Sequence, residues 1–350
     1  MKHSLYSIFM ALALASLSAK ADVFVLKNGD KVEGRVVDET DTHYMVEVQV
    51  RPTIKSEQKV AKEDVIRIVR PDKGLLEYER LRETMPAPDG LSVAEYKQRI
   101  ERCTSFIERF PSNSKVRRVI KMRDDLKSEM RKVEAGSRKI GGVFHPPQEL
   151  RENRYELDAR IEALKIQELI SNRQHLQALR DYLDFRKDYE PTKANRQLLP
   201  DMQQLIHAHT AKAQQLHDTM DRRLEERETG LERMEHNDEQ ASRRAIERQA
   251  AELERRFRAE VAAQVGWVTL HPFSESAIDY TLQFSKTLTR DIERFLSQEQ
   301  VDGGEIYRDL HRMKEKGADP SEMRDLIRTA QEAGVPDRYL EKFGDVLRKR

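Results

Sequence analysis

The chain has 350 residues, enough for two or three compact units. Charged residues make up 36% and aromatics 6%, a balance that favours exposed helices over one large core. The 63 Lys and Arg against 62 Asp and Glu give a net charge of +1, too little for a global field that would gather nucleic acid or anionic lipid.

The first 21 residues read as a secretory leader. Lys2 and His3 precede an apolar run from Leu5 to about Leu17, and Ala19-Lys20-Ala21 presents small residues where signal peptidase cuts, after Ala21. About a dozen apolar residues fall short of the roughly 20 that span a bilayer, so the expected mature chain has no transmembrane span and is periplasmic or secreted. Losing Lys2 and Lys20 leaves 61 bases against 62 acids, a net charge of −1. The single cysteine, Cys103, excludes an internal disulfide framework, so stability outside the cytoplasm has to come from packing.

Residues 22–71 have period-two patterning. Val23–Leu26 is a short apolar strand, and Asn28-Gly29 is a strong hairpin signal because both residues tolerate positive φ. Val32, Gly34 and Val36 alternate with charges, as do Tyr44, Val46, Val48 and Val50 with Met45, Glu47 and Gln49. Val60 and Val65–Val69 supply two more strands, and Gly34 in mid-strand permits a sharp bend. The pattern predicts a small five-stranded β-barrel closed by Pro71. "LKNGDKVEGRVV…THYMVEVQV…EDVIRIV" resembles the Sm-like or SH3-like barrel, its Hfq-type branch included, over about a seventh of the chain. That resemblance implies RNA contacts at an Asn after the third-strand Met and at an Arg-Gly pair before the last strand. Here Val46 follows Met45 and Ile68 follows Arg67, and Val60-Ala61-Lys62-Glu63 stands in place of a Tyr-Lys-His turn. The resemblance therefore carries a fold and no RNA-binding residue.

Beyond Pro71 the chain reads as helix. Residues 72–141 form a helical hairpin region. A short helix over Glu77–Glu83 is stopped by "MPAPDG", one capped by Ser92 carries Ile100, Cys103, Ile107 and Phe110 at helical spacing, and another runs from about Ser114 to Ala135. Cys103 lies on the apolar stripe and reads as core. "CTSFIERFPSNSKVRRVI" resembles the second helix and turn of a tetratricopeptide-type repeat, with a looser echo in "ALRDYLDFRKDYEPTKANRQL". Gly136–Gln148 reads as a loop or hinge.

Residues 142–265 are read as long helices: Leu150–Asn172, Arg173–Tyr189, and one from Pro200 to about Val265 that would extend roughly 95 Å. Met202, Leu205, His209, Ala213, Leu216, Met220, Leu224, Leu231 and Met234 keep a three-four spacing resembling a coiled-coil seam, interrupted near "EHNDEQ". Self-association through that seam is one expectation, and internal cover by the two preceding helices is the other.

Residues 266–350 are read as a C-terminal helical cap, opening on "GWVTLHPFSES". Trp267 and Phe273 there form a hydrophobic plug or, on the sharper reading, a partner-docking spot. A helix over Ala277–Ser297 and three short helices separated by "VDGGE", "KGADPS" and "AGVPD" follow.

No catalytic constellation, cofactor motif or metal-ligand spacing emerges. His207 and His209 point about 200° apart on a helix and His217 is two turns further on, so none pair on one ion. The expected fold class is α+β by domains, a small barrel followed by a mostly helical body with a long coiled-coil-like helix. The expected function is a non-enzymatic scaffold or interaction protein of the bacterial envelope, its partners other envelope proteins. The chain as a whole also resembles exported bacterial proteins that join such barrels to helical regions. Three rivals stay open: a nucleic-acid binder using Lys27, Lys31, Arg35, Arg51, Lys55 and Lys59; a periplasmic chaperone; and an envelope enzyme with a site hidden among the helices.

Overall fold

The computed structural model describes residues 22–51, 54–70, 72–298 and 301–344. The leader-like stretch and Pro71 lie outside the described residues. The chain divides into two compact units, one holding the residues up to Ala87 with Ala94–Glu129, the other Pro88–Val93 with the residues from Met130 onward.

In the first unit five antiparallel strands, β1 (Asp22–Leu26), β2 (Lys31–Glu39), β3 (His43–Arg51), β4 (Ile54–Ala61) and β5 (Val65–Val69), lie in the order β4-β3-β2-β1-β5. The Asn28-Gly29 turn joins β1 to β2 as expected, with Gly29 at φ 89° and the Asn28 side chain accepting from the Asp30 amide at 3.0 Å. Phe24, Val32, Val46 and Val60 form the buried core of the sheet. The expected barrel does not close: β4 and β5 stand at opposite edges and do not pair. Closure needs every strand paired on both sides, and β4 has no inward face to bring round. Its residues 54–59 are exposed at both parities, and only Val60 is buried.

Gly34 bends this sheet without closing it. A Cβ there would sit 2.5 Å from the Glu47 carbonyl oxygen and closer still to the Val46 side chain. Only a residue lacking Cβ lets β3 cross β2 so tightly.

Three helices, α1 (Lys73–Glu83), α2 (Val93–Arg109) and α3 (Val116–Glu134), follow. The Asp72 carboxylate caps α1 by accepting from the Leu75 amide at 3.0 Å. Tyr96, Cys103 and Phe106 are the buried residues of α2, with Ile100, Ile107 and Phe110 half-buried, and burial pushes the Cys103 thiol pKa up, away from the nucleophilic thiolate.

The second unit starts with a hairpin where the sequence predicts a loop or hinge. Strands β6 (Arg138–Ile140) and β7 (Val143–His145) make a hairpin turned by Gly141-Gly142, both at positive φ. The Asp89 carboxylate accepts from both glycine amides. Ten helices follow: α4 (Pro147–Glu152), α5 (Arg154–Ser171), α6 (His175–Tyr189), α7 (Lys193–Asp218), α8 (Met220–Glu232), α9 (His236–Ala262), α10 (Glu275–Ser297), α11 (Gly303–Lys316), α12 (Pro320–Glu332) and α13 (Asp337–Leu340). Helices α5, α6, α7 and α10–α13 share one core.

The expected 95 Å helix is a second correction. It starts earlier, at a Thr192 cap that accepts from the Asn195 amide, which places Pro200 inside α7. It breaks at Thr219, where the Arg223 guanidinium donates to the Leu216 carbonyl at 2.6 Å and the Pro272 carbonyl at 2.7 Å. It ends at Glu232, and α9 turns back so that Arg243 pairs with Glu228 of α8 and Phe257 meets Tyr280 of α10 at 5.8 Å. The seam residues Met202, Leu205 and Ala213 are buried inside the same unit, so they are not on offer to a second chain. Among the described residues no helix is long and apolar enough to cross a membrane.

Replacing Gly34 with alanine is expected to destabilise the sheet by about 1–3 kcal/mol through overpacking against β3. Urea unfolding followed by sheet-specific amide signals checks it; an unchanged midpoint would mean that β3 has room to move.

Candidate functional site

The site residues proposed from sequence, Trp267 and Phe273, lie in the turn between α9 and α10. Gln264 at φ 54° and Gly266 at φ 73° reverse the chain. A Cβ on Gly266 would meet the Leu183 side chain and sit 2.9 Å from the Phe284 ring, so the turn lies hard against α6 and α10. Trp267 is fully enclosed, edge-on to His209 at 5.3 Å and to Phe284 at 5.2 Å. A side chain without exposed surface packs the core and cannot anchor a partner. Phe273 is half-buried, with the Arg227 guanidinium 4.5 Å above its ring.

A polar latch holds this turn. Arg180 of α6 donates from Nε to the Trp267 carbonyl at 2.8 Å and from Nη2 to Glu260 Oε1 at 3.0 Å. Glu260 of α9 also accepts from the Thr269 amide and the Thr269 hydroxyl, both at 2.7 Å. Burial works to raise the Glu260 pKa, but the hydrogen bonds from Thr269 and Arg180 outweigh it and hold the carboxyl below its ordinary value. Each of these groups is spent on the turn, which leaves the latch no acid or base for chemistry. No local signal announces it, since Arg180 and Glu260 are 80 residues apart.

The remaining candidates stay scattered. Among the described residues no group of three or more His, Cys, Asp or Glu is placed to hold a metal ion. His207 is exposed, whereas His209 lies against Trp267. Lys27, Lys31, Arg35, Lys55 and Lys59 are exposed on the sheet unit, and the Arg51 side chain lies outside the described set. They build no basic face: residues 22–70 carry nine bases and ten acids, and Lys55 is already paired with Glu47 at 2.9 Å.

The sheet instead exposes apolar side chains, in a particular way. Strand register shifts between Val36 and Asp38, between Gln49 and Arg51, and on β5 between Val65 and Arg67. Each shift skips one residue, and the skipped residues are Val37, Val50 and Ile66, exposed to 46%, 62% and 62%. A bulge turns an extra residue out of the ladder, so an alternating sequence that would bury every second side chain leaves these three in solvent. Ile54 and Val69 are exposed beside them in sequence, on the edge strands β4 and β5.

No family model, curated protein or solved structure matches the chain.

Replacing Glu260 with alanine is expected to cost about 1–3 kcal/mol, because Arg180 loses its ionic partner in a mostly enclosed position. A carboxylate held below its ordinary pKa stabilises the fold above the unfolded value near 4.5 and loses that contribution as pH falls through the folded value. The gap in unfolding free energy between wild type and Glu260→Gln should therefore hold from pH 7 to about 5 and shrink as pH is lowered from 4.5 to about 3. A gap that stays constant across that range in urea titrations would contradict the latch.

Proposed function

We propose that the chain is an exported, non-enzymatic interaction protein of the bacterial cell envelope, whose N-terminal sheet takes an extended segment of a partner protein along β5. The observation that carries this reading is the contrast between the two sheet edges. An edge strand offers a row of unpaired N–H and C=O groups, and proteins commonly guard such edges with charge. On β4 that guard is Lys55, Glu57 and Lys59, all exposed. On β5, "VIRIV", Ile66 and Val69 are exposed beside a single charge, Arg67. Backbone pairing with apolar contacts at alternate positions is how a sheet edge recognises an extended peptide.

A second copy of this chain is the weaker occupant. Its β4 edge would bring Lys55 and Lys59 toward Arg67 and Arg70, and its β5 edge, paired antiparallel and centred, would set Arg67 opposite Arg67. The even balance of bases and acids over residues 22–70 supports a protein segment over RNA. The chaperone reading has less support, since the other exposed apolar residues, such as Leu75, Val143 and Leu224, are spread thinly over separate elements. Export rests on the leader-like first 21 residues.

A photoreactive amino acid at Ile66, introduced in the native cells, is expected to give a discrete adduct with a different protein, and the same probe at Glu57 on β4 is expected to give none. No adduct from position 66, equal adducts from both positions, or an adduct between two copies of this chain would each contradict the proposal.

A further inference from the structure

The second unit holds an open pocket of about 390 Å³ between the start of α6, the middle of α7 and the turn after α9. Its polar wall is Arg173, His175, His209 and Lys212, with Thr269; its apolar wall is formed by Leu176, Leu205 and Leu270. No carboxylate lines it. That is unusual for this unit. Four other cavities of 270 to 350 Å³ each carry an acid, Asp188, Glu293, Asp89 and Asp158 among them. The nearest acid by contact is Glu260 through Thr269, and it is fully engaged with Arg180 and Thr269.

The cations of this wall are left over. Neither Arg173 nor Lys212, both exposed, makes an ion pair among the described residues. Helix α6 begins here with no side-chain cap and no acid in its first turn, which adds its positive end to the same wall. The His209 Nε2 is enclosed and has no hydrogen-bond partner. Burial, then the charges of Lys212 and His175, push the His209 pKa down to about 4, so a residue of the wall already feels the surplus positive potential.

Arg173 is also kept at a backbone cost. It occupies the residue after the α5 cap at φ 59°, with the Arg173 amide donating to Ile170 and the Gln174 amide to Leu169, a position where glycine is the favoured residue. An arginine there brings strain together with a guanidinium at the mouth of the pocket.

We infer that this pocket binds a small organic anion, a phosphate monoester or a carboxylate with an apolar body, its charged group on Arg173 and Lys212 and its apolar part against Leu176, Leu205 and Leu270. The volume suits a ligand of that size, and a mixed wall of this kind fixes orientation through the charge while the apolar side supplies contact area. The inference stands apart from the sheet and from the partner proposed for it.

The test uses the full chain, isothermal calorimetry, and phenyl phosphate with inorganic phosphate as probes. Phenyl phosphate is expected to bind one saturable site at least tenfold more tightly than inorganic phosphate. Arg173→Gly and Lys212→Met should each weaken it about tenfold or more. Glycine relieves the left-handed backbone at 173, so the thermal midpoint of that variant should not fall, which separates loss of the site from loss of the fold. The inference is overturned if phenyl phosphate fails to saturate below about 10 mM, if it binds no better than inorganic phosphate, or if both variants keep the wild-type affinity.

Discussion

The burial of the Tyr155 ring is the constraint on which the helical unit depends. Tyr155 is wholly enclosed on α5, with the rings of Tyr339, Tyr189 and Tyr307 at 4.8, 5.7 and 6.2 Å. An aromatic of this size contributes much of a core's stabilisation, and a buried phenol also needs a hydrogen-bond partner. The Asp188 carbonyl accepts from Tyr155 at 2.8 Å, the Tyr189 and Tyr339 hydroxyls share a bond of 3.0 Å, and Tyr339 donates to Asp158 at 3.0 Å. Desolvation drives the Tyr155 pKa upward, so the phenol stays protonated as the donor this arrangement requires. Residues almost 200 apart in sequence are thereby closed into one core without a disulfide.

With that core in place, the rest of the unit is secured by polar ties. The Arg180–Glu260–Thr269 latch and the Arg223 contacts to Leu216 and Pro272 hold a hairpin of helices whose own apolar content is small; α9 has no buried residue at all. Such helices keep their place through side-chain hydrogen bonds and ion pairs more than through area. The sheet unit follows the opposite rule. Its sheet has four buried core side chains, a tight crossing at Gly34 and three bulges that turn valine or isoleucine outward. Its shape is set by backbone irregularities, and one of them turns out Ile66 on the edge proposed for partner binding.

Much of the fold was legible because it is local. The five strands, the Asn28-Gly29 turn, the Cys103 stripe and the last three helices all follow from periodicity and caps. The errors came where long-range packing decides. Barrel closure turns on whether β4 and β5 meet, and the polar face of β4 was the available warning. The long helix failed because Arg223, a single residue within it, stabilises a break by reaching Pro272, 49 residues away. The hairpin at 138–145 was within reach, since Gly141-Gly142 between short apolar runs is a turn signal. Trp267 drew notice for its chemistry and proved to be core, as a rare large aromatic often does. The Arg173–Lys212 pocket has no signature in the chain. Its members lie on two helices and two turns, and the missing carboxylate that sets the pocket apart shows only in three dimensions.

The partner proposed for the apolar sheet edge assumes a chain working outside the cytoplasm with no RNA on its sheet, whereas the cationic pocket does not depend on compartment. The mass of the N-terminus, measured on protein purified by compartment from its native cells, tests that assumption most directly. The account predicts a chain that begins at Asp22 and is recovered outside the cytoplasm. A chain that retains Met1 and is recovered from the cytoplasm would contradict it and put the basic residues of the sheet back in question.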